Sequence, residues 1–136
     1  MTEALGQIFN RDNLNMLFPA ERADEFFDAL FGDVNEGAYN IGLAYKSHTQ
    51  NELCLEFHLT QRPGKCLACN LTYGLPQVFS RHPVINIKGL INNIDNILSN
   101  YGIKCGSWKL DFTREISRNL HVIPLIISIN QSSAQS

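Results

Sequence analysis

The sequence predicts an α+β domain: an antiparallel sheet of about five strands with two packed helices, in the order helix-strand-strand-strand-helix-strand-strand. Three observations predict it. Apolar residues recur at helical spacing in two separate stretches, one after Pro19 and one after Lys88. Between and beyond them, short runs alternate apolar with polar residues and are parted by Gly, Pro and polar turns. A length of 136 residues with 44% hydrophobic side chains is enough for one core without disulfides or metal.

Residues 1–17 read as a poorly specified lead-in, with a short element around Leu5 to Phe9. The first secure helix begins at Pro19, since a proline at the first helical position loses no hydrogen bond. Glu21, Asp24 and Glu25 suit its positive end, and Ala23, Phe26, Phe27, Leu30 and Phe31 share one face. Gly32 can close it in the left-handed conformation. Tyr39, Ile41, Leu43 and Tyr45 then alternate with Asn40, Gly42, Ala44 and Lys46, a half-buried strand. After a polar turn at 47–51, Leu53, Leu55, Phe57 and Leu59 point inward, with Cys54, Glu56, His58 and Thr60 outward.

Leu67, Cys69, Leu71 and Tyr73 give a third strand, completing a meander through the turn at Arg62 to Lys65. That turn sets the register. A two-residue loop needs positive φ at Pro63, which its ring forbids. A three-residue loop with a bulge instead pairs Leu59 with Cys69, Phe57 with Leu71 and Leu55 with Tyr73. Cys69 is then a core residue. Residues 74–83 read as a connector, and the second helix follows from about Lys88. Leu90, Ile94, Ile97, Leu98 and Tyr101 form its buried stripe and Gly102 its stop.

A final strand pair completes the sheet. Trp108, Leu110, Phe112 and Ile116 alternate with Lys109, Asp111, Thr113 and Glu115, and residues 117–119 turn the chain. Leu120 to Ile129 is apolar on both faces, apart from His121 and Ser128. Such a strand is central and covered twice, or supplies a subunit contact. Pro124 shifts the weight to an edge or a bulge, and so toward an interface. The domain spans 1–129, with 130–136 as a polar tail.

The formal charge is −2, which gives no global attraction to nucleic acid or anionic membrane. Its distribution carries more. Residues 21–36 hold six acids against Arg22 alone, whereas from Phe57 to Ile94 there is no acid and four cations: Arg62, Lys65, Arg81 and Lys88. The N-terminus lacks the basic flank and apolar core of a signal peptide, and no run reaches the roughly 20 apolar residues of a membrane span. Cytoplasmic residence and thiol rather than disulfide cysteines are expected.

Four constellations carry chemistry. Cys66, Cys69, His82 and Cys105 complete a tetrahedral zinc set on paper, although Cys66 and Cys69 point to opposite strand faces. The same pair lacks the helix start that a redox Cys-x-x-Cys uses. Cys54, Glu56 and His58 share one strand face, the elements of a nucleophile and base, with nothing nearby specifying an oxyanion hole. Ser80, Arg81, His82 and Lys88 can cradle an anion beside an approaching helix N-terminus, with Ser80 also a candidate local cap. No phosphate loop or metalloprotease motif occurs.

The expected function is therefore non-enzymatic: a small binding or adaptor domain, acting as a homodimer through a sheet face or the 74–88 loop. No cofactor is expected, zinc being the one candidate. The expected partners are a second copy, a protein or a small anionic ligand, with no membrane. A nucleic-acid-binding domain using the basic middle and a cysteine/histidine enzyme are the alternatives. The element order resembles that of small dimeric secretion chaperones, a likeness of order rather than of residue motif.

Overall fold

The computed structural model describes residues 4–19, 21–31, 39–62 and 75–131. Helices α1 (Ala4–Ile8), α2 (Arg11–Leu17) and α3 (Glu21–Phe31) lead into strands β1 (Tyr39–His48) and β2 (Glu52–Gln61). Helices α4 (Leu75–Arg81) and α5 (Ile87–Ser99) follow, then β3 (Ile103–Leu110), β4 (Arg114–Ser117) and β5 (Leu120–Gln131). The sheet is antiparallel, ordered β1-β2-β5-β3, with β4 also paired to β5.

The α+β class and the antiparallel sheet are as expected; the helices differ. Residues 4–17 form α1 and α2, which bury Leu5, Ile8, Leu14 and Leu17 together with the flanking Phe9 and Phe18. These short helices have weak intrinsic signals and are held by packing. Asn10 caps α2 by accepting from the Asn13 amide at 2.9 Å. The connector after residue 74 also becomes helical as α4, burying Leu75 and Phe79. Pro76 stands in its first turn, where its missing N–H is harmless.

In β1 and β2 the expected alternation holds. Ile41 pairs with Leu59, Leu43 with Phe57 and Tyr45 with Leu55, and that face carries the helices. Phe57 meets the rings of Phe18 and Phe79 edge-on at 5.2 and 5.5 Å, and Phe79 meets Phe26 at 5.5 Å. Four aromatic rings thus join α2, α3, α4 and the sheet.

The meander's third strand lies at 67–73, outside the described residues, but its expected berth beside β2 is taken. There β5 pairs Leu55 with Leu125, Phe57 with Ile123 and Leu59 with His121. The two-sided apolar strand is therefore interior, which corrects the expectation of an edge. Pro124 is tolerated by a local break. The Asp111 amide donates to the Pro124 carbonyl at 2.9 Å, so the side lacking an N–H faces the gap between β3 and β4. The same break corrects the phase of 108–116. Trp108 and Leu110 pack against the core, Thr113 is buried, and Phe112 and Ile116 are 83% and 58% exposed.

Helix α5 ends before Tyr101, which is exposed rather than in the buried stripe, and Gly102 turns the chain at φ 76°. An L side chain there costs about 1–2 kcal/mol. The turn at 118–119 joins β4 to β5 as expected.

Candidate functional site

Helix α4 stops at Arg81, and residues 82–86 lead directly into α5. His82 shapes this passage. Its backbone amide continues the helix to the Val78 carbonyl, its Nδ1 accepts from the Val84 amide at 3.2 Å, and its ring stands edge-on to Phe26 at 4.9 Å. With Nδ1 accepting, the neutral ring carries its proton on Nε2. Asn86 then adopts φ 51° and caps α5 by accepting from the Gly89 amide at 3.2 Å. A Cβ on residue 89 would come within 2.4 Å of the Asn86 side chain, so glycine leaves room for the cap.

Arg81 and Lys88 flank this passage, both exposed, and neither joins a salt bridge among the described residues. Arg81, His82 and Lys88 line one open depression of about 350 Å³ with Ser80 and Asn86. Ser80 contributes least, because its hydroxyl donates to the Gln77 carbonyl at 2.9 Å. The structure thus brings the four expected ligand-binding residues to one place, with no acid among the described residues that line it. Arg81 and His82 also line an adjoining depression of about 370 Å³ with Val78 and Gln77.

A third depression, about 370 Å³, is lined by Lys88, Ile91, Asn92 and Asp95 of α5 and by Cys105 and Trp108 of β3. Asp95 Oδ1 accepts from the Cys105 amide at 2.9 Å, tying α5 to β3. Burial, then the Asp95 charge and a hydrogen bond to it, push the Cys105 thiol up to about 12. Sequence reasoning missed this part. Its signal was Ile91, an apolar residue that the expected stripe left out although α5 buries it, and which shares one helical side with Lys88, Asn92 and Asp95.

Of the four residues in the zinc set, Cys66 and Cys69 lie outside the described residues, and His82 and Cys105 line separate depressions. Among the described residues no three His, Cys, Asp or Glu side chains are grouped to hold a metal. On the sheet face opposite the helices, His58 Nε2 lies 3.2 Å from Glu56 Oε1, and Lys46 Nζ lies 3.6 Å from Glu56 Oε2. Cys54 stands on the same face. Burial raises its thiol pKa despite nearby Lys46 and Arg114, the reverse of an activated nucleophile.

The acidic and basic regions meet within the chain. Arg62 bonds Asp24 of α3 at 2.7 Å and Asn40 at 3.1 Å, and Arg22 reaches the Ile85 carbonyl at 3.4 Å. Arg81 and Lys88 are left outside these pairings. No helix among the described residues is long and apolar enough to cross a membrane. Compared with known proteins, the chain matches no family model, no curated protein and no solved structure.

Proposed function

We propose that this protein is a non-enzymatic binding or adaptor domain that engages an anionic group through the segment joining α4 to α5. The observation that carries the reading is the depression in which Arg81, His82 and Lys88 converge with no acid among its described lining residues, while neither Arg81 nor Lys88 joins an ion pair among the described residues. Arg supplies a fork matched to carboxylate or phosphate, and Lys a mobile point charge. The raised Cys54 and Cys105 thiols favour binding over covalent chemistry. The homodimer belongs to the same proposal. Its support moves from β5, which is interior, to exposed Ile116 of β4 and Phe112 just before it.

Trp108 is the single tryptophan and lines the depression that shares Lys88 with the site, so its emission serves as a neighbouring reporter beside calorimetry. Titration with tetraglutamate and with inorganic phosphate at low salt is expected to give saturable binding. The double change Arg81→Ala and Lys88→Ala should weaken it at least tenfold. Absence of saturable binding by the wild-type protein would overturn the anion reading. A native mass spectrum holding only single subunits at micromolar concentration would remove the dimer.

One observation favours a second reading. Lys104, Lys109, Arg114 and Arg118 are all exposed along β3, β4 and the following turn, beside exposed Phe112. Cations interleaved with an aromatic are what single-stranded nucleic acid uses. Salt-sensitive binding of an oligothymidylate, lost on Phe112→Ala and kept on changing Arg81, would carry that reading instead.

A further inference from the structure

The anion site continues into something longer. Lys88, Ile91, Asn92 and Asp95 lie at positions i, i+3, i+4 and i+7 of α5 and line one open depression together with Trp108. The depression carries opposite charges at Lys88 and Asp95, and Ile91 and Trp108 add apolar surface to its lining beside the polar Asn92. Lys88 also lines the neighbouring basic depression, so Arg81 and Lys88 together form the positive end. At about 1.5 Å of rise per residue, Lys88 and Asp95 stand roughly 10 Å apart along the helix axis. An extended polypeptide advances about 3.3 Å per residue and covers that distance in about three residues.

We infer that this groove docks an extended polypeptide segment carrying a carboxylate side chain and, three residues away, a cationic side chain, with an apolar side chain between them. The carboxylate meets Arg81 and Lys88, the apolar group lies over Ile91 and Trp108, and the cation meets Asp95. The inference rests on the anion reading proposed above and extends it from a charge to a pattern. Charge complementarity selects this occupant, because a purely acidic segment would set a carboxylate against Asp95. The open form of the depressions fits a chain laid across the surface better than a small molecule, which is held in a pocket burying 70–90% of it. Asp95 is pre-positioned for the task, since one of its oxygens is held by the Cys105 amide on the neighbouring strand.

The test uses two blocked hexapeptides, Gly-Glu-Leu-Gly-Lys-Gly and its isomer with Glu and Lys exchanged, which covers both chain directions. Each is compared with the same peptide carrying Leu for Lys, by Trp108 emission and calorimetry. Asp95→Asn is the partner variant, because an asparagine oxygen still accepts from the Cys105 amide while the charge is gone. For at least one direction, replacing Lys is expected to weaken binding about tenfold with the wild-type protein and to change little with Asp95→Asn. If Asp95→Asn discriminates the peptides as the wild type does, or neither protein discriminates, the extended pattern is overturned. Tetraglutamate binding would then still stand on Arg81 and Lys88. If tetraglutamate and both peptides all fail to bind, the anion reading falls as well. The chain carries the same pattern on itself at exposed Glu115, Ile116 and Arg118. A dimer that dissociates on Arg118→Glu and only then binds the peptides would make the occupant a second copy and overturn an external partner.

Discussion

The β1–β2 hairpin and the arm formed by β3, β4 and β5 belong to one sheet but treat their apolar residues in opposite ways. In β1 and β2 Ile41, Leu43 and Tyr45 meet Leu59, Phe57 and Leu55 on the inward side, and a bulge between Tyr45 and Ser47 shifts the register only at the end of β1. The arm keeps inward pairing as far as Leu110, across a bulge between Cys105 and Trp108. Then Pro124 withholds an N–H, the ladder opens at 111–113, and the phase slips. Phe112 passes to solvent and Thr113 to the interior. Beyond the break, His121 lies on the core side with Glu115 Oε1 3.5 Å from its Nε2. The hairpin stores stability, while the arm presents apolar and cationic side chains at the surface.

The largest expected effect tests the hairpin. Phe57→Ala removes the ring that Phe18 and Phe79 both meet, and should lower the unfolding free energy by about 3–5 kcal/mol in urea denaturation. A loss below about 1 kcal/mol would mean that these rings do not form a tightly packed centre.

The second prediction compares a thiol from each region. Iodoacetamide labelling near pH 8.5, mapped by mass, should find Cys105 of the arm slower than Cys54 of the hairpin, and both slower than an ordinary thiol. The stability consequence has a definite sign. The folded-state pKa of Cys105 is raised from 9.0 to about 12, so its contribution is intact below pH 9. It is lost as the pH climbs from 9 toward 12, and Cys105→Ala should flatten that part of the alkaline profile.

The smallest effects belong to the break. Pro124→Ala restores an N–H facing the gap, which can bond the strand beyond it for about 0.5–1.5 kcal/mol. It also frees the unfolded chain, costing about 0.4–1 kcal/mol. These offset, so stability should change by less than about 1 kcal/mol, while hydrogen exchange slows around Asp111 to Thr113. Unchanged exchange there would remove proline as the cause of the break. Phe112→Ala, at an exposed position, should stay within about 0.5 kcal/mol of the parent.

Much of the fold was legible where a short period carries the signal. Tyr39 to Tyr45 and Leu53 to Leu59 alternate in sequence and in space, and Leu90, Ile94 and Leu98 line the buried side of α5. Helices α1, α2 and α4 were not legible as helices because each has only a turn or two, and their burial depends on distant partners such as Phe57. Arg81, His82 and Lys88 stood out as cations in an acid-free stretch. Asp95 and Trp108 did not, because they join that surface only when α5 lies across β3.

By itself, the sequence determined the α+β class, the inward phase of β1 and β2, the start of α5 and the reversal into β5. These depend on side-chain periodicity and backbone preference over a few residues. Only the tertiary structure decided that β5 lies beside β2, that the ladder opens opposite Pro124, and that Lys88 and Asp95 bound one groove with Trp108. The reason is that strand partners compete for the same backbone edge. The winner is set by the side chains each brings to the common core, a comparison no local window contains.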